Sequence, residues 1–157
     1  MGDDHAPPAF NGMNMPDLMA IFSLCVVVLF LKMLAISCYQ GFYRISRQTF
    51  KNAEDAAFVG RPASPQELPQ VSRAAQAWTN DLQNIPVFFF LGALCQLYYP
   101  PGQLSAGLMV VFTAARLVHT VAYLARWQPW RTIAYVVGII CLLGLAGIVV
   151  MGAVRHL

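Results

Sequence analysis

Arg116, His119, Thr120 and Tyr123 are polar residues inside the largely apolar stretch FTAARLVHTVAYLARW, residues 112–127. Spaced i, i+3, i+4 and i+7, they share one face of a helix. Gln76, Asn80, Gln83 and Asn84 form a second polar stripe earlier in the chain, with Asp81 beside it. A charge in hydrocarbon costs roughly 3 kcal/mol even on lenient insertion scales, so such residues are by default functional candidates. Structure explains part of the set. Asp81 can neutralise Arg116, and the amides can bond between helices. Bundle packing does not call for a histidine, a tyrosine, two asparagines and nearby arginines at one level.

Four apolar segments could carry these stripes, each close to the roughly 20 residues that a membrane-crossing helix requires. They run about 18–38, broken by Lys32, about 74–99, polar in its first half, about 104–124 and about 132–154. Mean hydropathy is +0.56, with 58% hydrophobic and only 11% charged residues, well outside ordinary soluble usage. The expected fold is therefore an all-α membrane protein, a four-transmembrane-helix bundle in one domain spanning 1–157. YYPPGQ, residues 98–103, breaks the chain tightly between the second and third helices, making them antiparallel neighbours whose stripes can face each other. The long connection, about 40–73, holds two helix-start signals, Asn52-Ala-Glu-Asp55 and Ser64-Pro-Gln-Glu67.

The charge distribution gives a direction and excludes some partners. Arg44, Arg47, Lys51, Arg61 and Arg73 lie in the first connection and Arg126 and Arg131 in the third, whereas the second has no Lys or Arg. The positive-inside rule places both basic connections in the cytoplasm. A net charge of +3, scattered along the chain, does not point to nucleic acid. Cys25, Cys38, Cys95 and Cys141 have no metal-like spacing and read as buried thiols. The acidic start MGDDHAPPAF argues against a cleavable signal peptide.

FYRISRQTFKNAEDAAFVG (42–60), NDLQNIPVFFFLG (80–92) and ARLVHTVAYL (115–124), followed by Arg131, together resemble the MAPEG family, the membrane-associated proteins of eicosanoid and glutathione metabolism. The resemblance runs in order from about residue 28 to residue 140. It implies a homotrimer of four-helix subunits, with glutathione bound between subunits near the cytoplasmic side. The inventory of residues suits that ligand. Arginine forks such as Arg44 and Arg131 hold carboxylates in bidentate fashion, and a neighbouring cation lowers a thiol's pKa.

The resemblance assigns glutathione contacts to Arg44, Asn80, His119, Tyr123, Arg131 and Tyr135, with Arg131 beside the sulfur as the catalytic arginine. Thr132 and Asp55 match further functional positions of the prostaglandin-synthesising branch, Thr132 replacing a serine. Two positions depart from the family pattern. Gln83 replaces the usual glutamate, and QAW (76–78) replaces RAH, leaving Arg73, one turn earlier, as a substitute carboxylate contact. The expected function is a glutathione transferase, with possible peroxidase chemistry, acting on lipophilic electrophiles or lipid hydroperoxides drawn from membrane lipid. The alternatives are a glutathione-dependent isomerase of the prostaglandin E synthase type and a non-catalytic lipid-binding protein. The membrane would be the endoplasmic reticulum in a eukaryote or the inner membrane in a bacterium.

Overall fold

The computed structural model describes residues 15–98 and 102–157. The acidic N-terminus and the two prolines of the 98–103 turn lie outside them. Five helices follow in order: α1 (Met15–Arg47), α2 (Ala53–Phe58), α3 (Pro69–Tyr98), α4 (Gln103–Ala125) and α5 (Trp130–Val154). No strand occurs among the described residues.

Helix ends and apolar ends do not coincide. α1 continues beyond its apolar run to Arg47, with Arg44 and Arg47 in its last turn, where cations complement the helix dipole. It closes at Gln48, whose φ of 48° is left-handed, and the Thr49 N–H donates to the Arg44 carbonyl at 3.1 Å. Asn52 is the N-cap of α2, in extended conformation, with Glu54 and Asp55 in the first turn. The Ser64-Pro-Gln-Glu67 signal starts no helix. Ser64 Oγ donates to the Gln66 carbonyl at 2.7 Å, while Glu67 is occupied by Arg44. α3 begins instead at Pro69, where the missing N–H of proline has no helical partner to lose.

α1 packs on α3 and α4, and α5 packs on α3 and α4. Leu29, Phe88, Phe112 and Leu145 bring one fully buried side chain from each long helix into the core. The Phe88 and Phe112 rings stack with centroids 4.5 Å apart. The outer surface is equally apolar: Phe30, Phe90, Leu97, Leu143 and Val150 are exposed. α1 from Asp17, α4 and α5 are long and apolar enough to cross a membrane. α3 has the length, but its first half is polar. Where lipid surrounds such helices, burying a leucine gains little, and close packing and polar bonds between helices hold them together. Cys25, Cys95 and Cys141 are buried free thiols as expected, but Cys38 is exposed.

Candidate functional site

Polar groups from α1, α3 and α4 meet inside the bundle. Asp81, fully buried, accepts from Lys32 Nζ on one carboxylate oxygen at 2.5 Å and from Arg116 Nη2 on the other at 2.8 Å. Arg116 Nη2 also donates to Asn80 Oδ1. The expected Asp81–Arg116 pair is present, joined by Lys32, the residue that interrupts the apolar run of α1.

His119, one turn beyond Arg116 on α4, is 3% exposed. Its ring centroid lies 5.7 Å from that of Tyr123 and 6.3 Å from that of Tyr135. Among the described residues, His119 Nδ1, Thr120 Oγ1 and Arg116 Nε are buried without a hydrogen-bond partner. The Tyr123 hydroxyl donates across to Gln76 Oε1 at 3.0 Å.

Arg131, in the first turn of α5, holds its guanidinium carbon 4.9 Å from the centre of the Tyr123 ring, a cation–π contact. With the Gln128 amide oriented to suit its neighbours, its oxygen accepts from Arg131 Nη2 at 2.6 Å and Nε at 3.1 Å. Its nitrogen then donates to Thr132 Oγ1 at 3.1 Å. No carboxylate neutralises Arg131 among the described residues. Its charge is held in place by neutral groups and remains available to an anion.

A groove between α3 and α4 is lined by Gln76, Asn80, Gln83 and Tyr123. Gln83 is exposed on it rather than packed between helices. Arg73 is half-buried on α3, a turn before Gln76. The structure thus gathers His119, Tyr123, Arg131 and Tyr135, with Thr132 alongside through Gln128 and with Asn80 and Gln83 across the groove.

Arg44 and Asp55 belong to a different place. Arg44 pairs with Glu67 at 2.6 Å, and both line a small cavity with Asp55, Lys51 and Asn52. Asn52 Nδ2 donates to Asp55 Oδ2 at 3.2 Å. Within one chain, then, the expected site residues fall into two clusters. Sequence reasoning missed the partners Lys32, Gln128 and Glu67. Lys32 carried a signal, as a lone cation in an apolar run needs a counter-charge.

The MAPEG family profile matches residues 22–151. This chain belongs to the MAPEG family. It is 33% identical over 152 residues to the prostaglandin E synthase of Equus caballus, covering 96% of this chain and 99% of that protein. The Homo sapiens prostaglandin E synthase is 33% identical over 146 residues, 92% of this chain and 95% of its own. Microsomal glutathione S-transferase 1 of Mus musculus is 38% identical over 128 residues, 77% of this chain and 81% of that protein. The matched span of this MAPEG protein includes both clusters, the whole of α3 and α4 and most of α1 and α5.

Proposed function

We propose that this MAPEG protein is an integral-membrane glutathione transferase with peroxidase activity, using an arginine-stabilised thiolate against lipophilic electrophiles and lipid hydroperoxides. Arg131 carries the reading. It is a guanidinium fixed by an aromatic face and an amide, without a carboxylate partner among the described residues. Free glutathione has a thiol pKa near 8.5, and a cation beside it raises the thiolate fraction at neutral pH. The thiolate forms a C–S bond at an activated carbon as chloride leaves. With a hydroperoxide it attacks the peroxide oxygen and the O–O bond breaks, releasing an alcohol. A second glutathione then yields the disulfide and water.

The residues present fit the ligand. Arginines and amides suit its carboxylates and carbonyls, and Thr132 can add a hydroxyl bond to the sulfur. Gln83 gives its ammonium only a neutral carbonyl oxygen. A homotrimer of four-span subunits, with the site facing the cytoplasm, would unite the two clusters. Arg44 at the end of one subunit's α1 would then close the site formed by α3, α4 and α5 of its neighbour.

The isomerase reading is favoured by the coverage of the prostaglandin E synthase relatives, which match over nearly their whole length. There, thiolate attack on a peroxide oxygen would be followed by proton movement at Asp55. Turnover measured with a chlorinated nitroarene, a lipid hydroperoxide and an endoperoxide tests both. Conjugation or hydroperoxide reduction supports the transferase. Turnover of the endoperoxide alone replaces it with the isomerase, and failure of all three refutes both.

A further inference from the structure

The basic side of the bundle carries a groove that the proposed chemistry does not use. Arg47, Gln48, Thr49, Arg61 and Ser64 are among the residues lining it, and it encloses about 530 Å³. No acidic residue lines it. Arg47 is exposed in the last turn of α1 and has no ion-pair partner among the described residues. Arg61 donates from Nη2 at 2.8 Å and from Nε at 3.2 Å to one acceptor, Gln48 Oε1. That acceptor is neutral, so two guanidinium charges border the groove unanswered.

The connection is built to hold this arrangement. Gln48 has a φ of 48°, a left-handed conformation that helix ends usually give to glycine. A glycine there would have no side chain with which to fix Arg61. The Ser64 N–H donates to the Phe50 carbonyl at 2.8 Å and the Arg61 N–H to the Ala56 carbonyl at 2.9 Å. These bonds tie the far wall of the groove back to the chain that precedes it.

Apolar side chains flank the groove. Phe42 and Ile45, 65% and 70% exposed, carry the outer surface of α1 to within two residues of Arg47. Phe58, 92% exposed, lies three residues before Arg61. A cationic groove where an apolar helix surface ends matches the headgroup layer of a bilayer. Anionic lipid there attracts Lys and Arg beside a membrane span.

We infer that this groove binds the phosphate of an anionic phospholipid, with Arg47 and Arg61 as its cations and Gln48 positioning Arg61. Guanidinium forks match phosphate oxygens in geometry as well as charge. This lipid site is independent of the glutathione reading, since none of its residues belongs to either cluster described above.

The purified full chain in detergent tests this, with lipid bound per chain counted by native mass spectrometry. Wild-type protein is expected to retain phosphatidylglycerol over phosphatidylcholine, which carries no net charge. Arg47→Gln and Arg61→Gln should each weaken that preference about fivefold, and together about twenty-fivefold. Gln48→Gly keeps both charges and the left-handed turn but releases Arg61, and should weaken the preference about threefold. A diffuse positive field predicts no change in that variant, so an unchanged preference there overturns the built site. A wild-type chain without the preference, or folded arginine variants that keep it, overturns the lipid assignment altogether. Phosphatidylglycerol displaced by an equal concentration of inorganic phosphate would also overturn it, giving the groove to the free ion.

Discussion

Arg116 and Arg131 are chemically identical side chains in opposite situations. Arg116 is enclosed among α1, α3 and α4, bonded to Asp81 and Asn80. Arg131 sits at the start of α5 against a tyrosine face and a glutamine amide. Among the described residues, the first has its charge answered by a carboxylate and the second does not. An arginine bonded to a carboxylate organises the fold around it, whereas one held by neutral groups keeps its field for a ligand. Placement by neutral partners distinguishes a reactive cation from a structural one.

Asp81→Ala is the hardest test of this contrast. It would leave Lys32 and Arg116 facing each other without a counter-ion, and breaking a buried pair typically costs roughly 3–5 kcal/mol. The expected result is a large loss of folded protein, read by thermal denaturation and assembly state. A stable, correctly assembled but inactive variant would move Asp81 to the reactive side of the comparison.

Arg131→Ala should do the reverse, leaving the fold intact and removing most turnover. Loss of one preorganised electrostatic group commonly lowers kcat by about 10²–10³. Ultraviolet absorbance of the bound thiolate should titrate at higher pH in the variant. Full activity with unchanged absorbance would end the role assigned to Arg131.

Gln83→Glu sharpens the picture at the groove. It sets a carboxylate opposite the ligand's ammonium and should tighten glutathione about tenfold, equivalent to roughly 1.4 kcal/mol. The gain should shrink for an analogue lacking the γ-glutamyl amine. Equal affinities for both ligands in both proteins would remove Gln83 from the site.

The smallest effect is expected at Glu67→Gln. Arg44 is 38% exposed in this pair, and water screens such contacts to about 1 kcal/mol or less. Thermal stability should fall by no more than a few degrees. A collapse would show that this pair belongs with the buried cluster.

The helices were largely legible in the sequence because a run of apolar residues and its period survive in any context. The end of α1 was not, since hydropathy reports where lipid contact stops while the backbone stays helical through the polar residues to Arg47. Ser64-Pro-Gln-Glu67 misled for a different reason. A capping glutamate and a salt-bridging glutamate look alike until Arg44 is seen beside Glu67. The stripes on α3 and α4 could be predicted to meet, because a helix face is fixed by spacing. Lys32 could not be matched to Asp81, 49 residues away, without knowing which face of α1 turns inward.

Trp127 and Trp130, 58% and 59% exposed on either side of the α4–α5 turn, carry a last consequence. Indole rings favour the boundary between lipid headgroups and hydrocarbon, so this pair would set the depth at which α5 begins. Arg131 follows Trp130 directly and would be held at that boundary. A water-soluble thiol and an oil-soluble electrophile have almost no common solvent. On the proposed reading the protein works as a phase-transfer catalyst, and its rate with a series of electrophiles would follow their partition coefficients as well as their intrinsic reactivity.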